Sequence, residues 1–154
     1  MIAPTEDIDR IMAVMEAAFD PLYGEAWNRR QVEDALLAGN CHYFLADRNG
    51  DAAGNGEPAS GFFLSRVGID EEELLLIAVQ PDSRCAGIGR RLIESLVESA
   101  RIRGSSRIFL EMRRNNPAEN LYRNFGFQPI GVRKNYYKQS DGQLIDAITF
   151  EFIT

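Results

Sequence analysis

The segment that most restricts the fold runs from Glu73 to Met112. Glu73-Leu-Leu-Leu-Ile-Ala-Val79 is nearly continuous in apolar residues, the pattern of a central strand covered on both faces. After Pro81 comes the run Arg84-Cys85-Ala86-Gly87-Ile88-Gly89. From there Ile88, Leu92, Ile93, Leu96, Val97 and Ala100 form one stripe of a long helix that Gly104 closes. Arg107 to Met112 then reads as a second strand. Strand, helix and strand in this order predict a right-handed parallel crossover, so the chain is expected to be mixed α/β (α+β).

A glycine-rich turn between a buried strand and a helix N-terminus presents unpaired backbone N–H groups and the positive end of the helix dipole to one spot, which suits a phosphate. Gly87 and Gly89 let the backbone approach a pyrophosphate closely, and Arg84 and Arg90 add positive charge nearby. A tight turn alone would use the same glycines. Two other nucleotide loops fail on their own terms: Gly-Arg-Arg stands where a triphosphate loop needs Gly-Lys-Ser/Thr, and Leu92 stands where a dinucleotide fingerprint needs a small residue.

The rest of the chain supplies helices and hairpin strands. Thr5 is placed to cap a first helix carrying Ile8, Ile11, Met12, Met15 and Phe19 at helical spacing and ending near Asp20-Pro21. A loop over Pro21 to Trp27 precedes a second helix, Arg29 to Leu37, which Gly39-Asn40 stops. Tyr43 to Ala46 and Gly61 to Val67 read as strands joined by a long mobile tip, Asp47 to Ser60. Beyond Met112 follow a short helix (Pro117 to Asn124), a strand (Phe127 to Arg133), a turn at Ser140-Asp141-Gly142 and a last strand (Leu144 to Phe152). The acidic run Asp70-Glu71-Glu72-Glu73 reads as a solvated turn.

Composition narrows the class of function. At 154 residues with 45% hydrophobic side chains, the chain fits one domain spanning 1–154. A formal charge of -6 speaks against direct nucleic-acid binding, which draws on Lys and Arg displacing counterions. No apolar run approaches the roughly 18 residues of a membrane helix, and no secretory signal opens the chain, so a cytoplasmic protein is expected. The two cysteines and single histidine have no metal-ligand spacing, so no metal is expected.

The Arg84 to Gly89 run, following an apolar strand and leading a long helix, resembles the coenzyme A signature of the GNAT superfamily of N-acetyltransferases. The resemblance extends through Asn116, Leu121-Tyr122, Gly126-Phe127, Lys134-Asn135-Tyr136-Tyr137 and Asp146-Ala147, where it is most similar to the RimI-type branch that acetylates protein N-termini. It implies a twisted mixed central sheet flanked by helices and acetyl-CoA as co-substrate. It further implies that the backbone of Ile77, Ala78 and Val79 pairs with the pantetheine arm, that Arg84, Cys85, Ala86, Gly87, Ile88, Gly89 and Arg90 form the pyrophosphate loop, and that Asn116 bonds the cofactor. Glu111 matches the general base and Tyr122 the general acid. The span from Glu111 to Tyr122 is one residue shorter than the family's common spacing.

Each role is chemically reasonable. An N-terminal amine with an ordinary pKa of about 8 must lose a proton before it attacks a thioester, and a carboxylate can take it. A glutamate inside Ile108-Phe-Leu-Glu-Met112 is costly unless it faces a cleft or finds a partner such as Arg113 or Arg114. Tyr122 could equally be a core aromatic, and Asn116 with Pro117 behind it could cap the short helix. Tyr136 and Tyr137, together with Trp27, could wall a slot for a peptide N-terminus or pack as core. The expected reaction is direct transfer of acetyl to a primary amine, first of all the α-amine of a protein N-terminus such as that of a ribosomal protein, by a monomer or homodimer. A small-molecule amine or a lysine side chain is the alternative acceptor, and a non-catalytic acyl-CoA-binding module the alternative class.

Overall fold

The computed structural model describes residues 5–84 and 86–154. Met1 to Pro4, and Cys85 of the expected pyrophosphate loop, lie outside the described residues. The elements in chain order are α1 (Thr5–Ala18), α2 (Arg29–Leu37), β1 (Cys41–Ala46), β2 (Gly61–Val67), β3 (Glu71–Val79), α3 (Ile88–Ile102), β4 (Arg107–Arg113), α4 (Glu119–Phe125), β5 (Gln128–Lys138) and β6 (Leu144–Ile153). Single 3-10 turns at Pro21–Tyr23 and Pro81–Ser83 lead out of α1 and toward α3. Thr5, expected as the cap of α1, is already helical where the described residues begin.

Among the described residues six strands form one mixed sheet in the order β1-β2-β3-β4-β6-β5. Only β3 and β4 run parallel, joined by α3, and every other neighbouring pair is antiparallel. The one parallel pair is the crossover predicted from the strand, helix, strand unit, and the mixed sheet flanked by helices is what the GNAT resemblance implies. On one face α3 buries Ile88, Leu92, Ile93, Leu96, Val97 and Ala100 against Leu110, Met112, Phe127 and Phe150. Each large side chain fully removed from water there stabilises the fold by about 1.5–3 kcal/mol. On the other face α1 and α2 pack Ile8, Ile11, Val14, Met15, Val32 and Leu36 over Phe62, Leu64, Leu76 and Ala78. α2 begins with a complete capping box, in which the Asn28 side chain accepts from Gln31 N and the Gln31 side chain accepts from Asn28 N.

Three readings are corrected. The acidic run is not a solvated turn: Glu71, Glu72 and Glu73 open β3, and each carboxylate meets an arginine. Glu72 is fully buried and bound by both Nε and Nη2 of Arg103, Glu71 pairs with Arg107 at 2.6 Å, and Glu73 pairs with Arg66 at 2.6 Å. The segment between β1 and β2 is pinned rather than a loose tip. Arg10 of α1 donates to the carbonyls of Gly54 and Glu57, Glu6 accepts from Gly56 N, and Asp51 pairs with Arg91 of α3 at 2.8 Å. β5 extends five residues past Arg133 to Lys138, because a shift in its pairing with β6 between Arg133 and Tyr137 absorbs Lys134 to Tyr136.

Candidate active site

The sheet opens in its middle. β3 and β4 pair only from Glu71↔Arg107 to Leu74↔Leu110, although β3 continues to Val79 and β4 to Arg113. The opening coincides with a bulge: Leu64 of β2 faces Leu76 and Ser65 faces Leu74, so Leu75 has no partner on β2 and β3 bends there. Gln80 N donates to Ser60 O on the β2 side. Backbone groups alternate along a strand, so Ala78 also turns its N–H and C=O toward β2, while those of Ile77 and Val79 point into the gap.

At the end of that gap α3 begins. Gly87, the N-cap, adopts φ +82° and has no side chain to bond the first-turn N–H groups, and among the described residues no side chain caps them. A Cβ at Gly87 would meet nothing within 4 Å among the described residues. Gly89 serves packing instead: a Cβ there would stand 3.1 Å from Leu121 Cδ2 of α4. Ile88 is a core residue, and Ala86 is exposed beside the turn. The charge expected from Arg84 is directed elsewhere, since its Nη2 donates to Ala18 O at the end of α1 (3.0 Å). Arg90 lies over the Phe125 ring at 5.3 Å and within 3.5 Å of Glu94. The unpaired backbone of Ile77 and Val79 and the uncapped, side-chain-free start of α3 fit an amide-bearing arm ending in a pyrophosphate.

Glu111 stands on β4 just past the point where the strands part. Its partner is neither Arg113 nor Arg114: Oε2 lies 3.2 Å from Arg133 Nε on β5 and accepts from Thr149 Oγ1 on β6 (3.2 Å). Tyr122 on α4 is buried between Phe127 and Phe150, with ring centroids 5.8 and 6.4 Å away. Burial, and secondarily the Glu25 charge, raise its phenol pKa, so the hydroxyl stays protonated. Tyr137 is half-buried in the β5 irregularity, edge-on to Tyr136 at 5.3 Å, and burial followed by the Glu111 and Glu25 charges push its phenol up to about 12. Asp146 holds that irregularity, its Oδ1 accepting from Asn135 N (3.0 Å) while Asn135 sits at φ +53°. Asn116 acts as a turn cap leading into α4, with Oδ1 accepting from Ala118 N (2.9 Å). The shortened span before Tyr122 is taken up by a tight turn in which Asn115 has φ +70°.

Two residues of the α1–α2 loop join the site without a sequence signal. Glu25 Oε1 accepts from Arg113 Nε at 3.1 Å, and the Arg113 guanidinium lies over the Tyr23 ring at 3.4 Å. Trp27, expected beside the tyrosines, packs against the α1/α2 core, and among the described residues no ring contact joins it to Tyr136 or Tyr137. No group of three His, Cys, Asp or Glu among the described residues is arranged to hold a metal, and no described helix is long and apolar enough to cross a membrane.

The profile of the acetyltransferase (GNAT) family matches residues 8–127. A relative from Bacillus subtilis (strain 168), named provisionally as a ribosomal protein bS18-alanine N-acetyltransferase, is 32% identical over 134 residues, covering 86% of this chain and 82% of the relative. The ribosomal protein bS18-alanine N-acetyltransferase of Escherichia coli (strain K12) is 40% identical over 90 residues, 58% of this chain and 60% of that protein. The crystal structure of the ribosomal-protein-S18-alanine N-acetyltransferase from Escherichia coli superimposes with a TM-score of 0.82 and 28% identity over 99% of this chain and 91% of that one.

Proposed function

The chain belongs to the acetyltransferase (GNAT) family, and from that premise we propose that it transfers acetyl from acetyl-CoA to the α-amine of a protein N-terminus, with an alanine-initiated ribosomal protein as the first acceptor to test. The observation that carries the reading is the opening between β3 and β4, with the start of α3 at its end and Glu111 one residue past the last β3–β4 pair. Acetyl-CoA, when bound, supplies a thioester carbonyl open to attack by an amine. In this reading the N–H and C=O groups of Ile77 and Val79 bond the pantetheine amides and an N–H there stabilises negative charge on the carbonyl oxygen. The N–H groups from Cys85 to Arg90 hold the pyrophosphate, and the Asn116 amide nitrogen, left free by the cap through Oδ1, reaches the cofactor.

Glu111 takes a proton from the incoming ammonium at Oε2, releasing Arg133 as it does so. The raised pKa keeps the Tyr122 phenol in its O–H form, and in this reading that hydroxyl hydrogen-bonds and protonates the sulfur of the leaving thiolate. Tyr136 and Tyr137 line the acceptor side, and Trp27 supports the loop behind it. No nucleophilic residue of the enzyme is needed, so transfer is direct within a ternary complex. The protein acts as one domain over 1–154, in the cytoplasm, as a monomer or homodimer, without nucleic acid or membrane.

An acceptor panel tests the reading. Turnover of labelled acetyl-CoA is expected with alanine-initiated peptides and not with polyamines or N-terminally blocked lysine peptides. Turnover confined to polyamines would refute the α-amine assignment.

A further inference from the structure

We propose that Glu25 and Arg113 are positioning residues that clamp the α1–α2 loop against the end of β4 and thereby form one wall of the acceptor slot. This rests on the acetyl-transfer reading above. Arg113 is two residues beyond Glu111, so the two side chains share one face of β4, about 6–7 Å apart along the strand. Its register partner on β6 is the small, fully buried Ala147, which leaves that face room for a loop to descend.

The loop does descend there. Leu22 O accepts from Ser140 N at the β5–β6 turn (2.8 Å), Tyr23 covers the Arg113 guanidinium at 3.4 Å, and Glu25 Oε1 meets Arg113 Nε at 3.1 Å. The side chains of Arg113 and Glu25 are only 10% and 18% exposed. A guanidinium so far from water demands a counter-charge, and the one it meets sits on an irregular loop 88 residues away in sequence rather than on a neighbouring strand. The requirement of the sheet residue for charge balance therefore becomes a tether on the loop. Glu25 also raises the phenol pKa of both Tyr122 and Tyr137, and Glu111 that of Tyr137, so the tethered loop and the proton acceptor act on one common space. An amine approaching Glu111 passes between Tyr137 and this loop.

The isosteric variant Glu25→Gln keeps the shape and removes the charge, and Arg113→Lys keeps the charge and removes the planar fork over Tyr23. Each is expected to raise KM for the acceptor peptide by about tenfold, with kcat within about threefold of wild type and acetyl-CoA affinity unchanged, the split that marks lost uniform binding. The double variant should be no worse than either single one. Amide hydrogen exchange at residues 21–25 should quicken, and the emission of Trp27, the single tryptophan, should shift to the red. Unchanged acceptor KM, or KM for both substrates rising together with a lowered Tm, would overturn the proposal. Exchange and emission need no turnover. If wild type acetylates no amine, the functional reading falls while these two measurements still decide whether the clamp exists.

Discussion

Glu111 on β4 and Arg133 on β5 meet at 3.2 Å across the intervening strand β6, whose Thr149 donates to the same carboxylate oxygen. A carboxylate with its side chain 19% exposed is thus held by two strands, one residue past the last β3–β4 pair. Glu111→Gln keeps the size and the Thr149 contact but cannot take a proton. It should lower kcat by about a hundredfold or more and leave acetyl-CoA affinity near that of wild type, read by steady-state kinetics and calorimetric titration.

Tyr122→Phe keeps the ring packed against Phe127 and Phe150, so thermal unfolding should hardly move. Loss of the phenol O–H should lower kcat by about a hundredfold. A variant with wild-type kcat would make Tyr122 a core aromatic only.

Two glycines separate conformation from space. Gly87→Ala meets nothing within 4 Å but must hold φ +82°, a strain of about 1–2 kcal/mol, and should weaken acetyl-CoA binding as the turn relaxes. Gly61→Ala would put Cβ 2.9 Å from the Ala78 carbonyl oxygen and 3.2 Å from Ile88 and Leu92, costing about 1–3 kcal/mol of stability. Denaturant unfolding and CoA titration of both variants check the contrast.

Acid should unlock α1 from β1. Burial pushes the Asp7 carboxyl up, but the hydrogen bonds from Tyr43 and Arg10, with the Arg10 charge, outweigh it and hold the pKa below the ordinary 3.8. A folded-state pKa below the unfolded one gives stability that is present above pH 3.8 and lost as the pH falls through the folded value. The stability gap between wild type and Asp7→Asn in urea should therefore be widest near neutrality and shrink below that pH. Tyr43, pushed up from 10.0 to about 12 by burial and by Asp7, gives the opposite slope. Its contribution is present below pH 10 and lost as the pH rises through 12. A gap that ignores pH would contradict the coupling.

The elements legible in the sequence are those whose signals are local. Arg29–Leu37 lies between the Pro21 to Trp27 loop and the Gly39-Asn40 stop, Gly61–Val67 is bounded by its loop, and the α3 stripe buries every apolar residue assigned to it. What escaped depends on distant partners. The acidic run enters β3 because Arg103, Arg107 and Arg66 neutralise it from other elements, and β5 runs on to Lys138 because Asp146 stabilises its irregularity. In the site, the turn at Gly87 and the strand position of Glu111 follow from pattern, whereas Glu25 sits in an aperiodic loop and is recognised only through Arg113.

The central claim is tested most directly by incubating the protein with acetyl-CoA and an alanine-initiated peptide that also contains a lysine, then locating the modification by tandem mass spectrometry. One added acetyl group on the N-terminal alanine, absent with Glu111→Gln, is the predicted result. Acetyl on the lysine alone, or none on any peptide under conditions where acetyl-CoA binds, would contradict it.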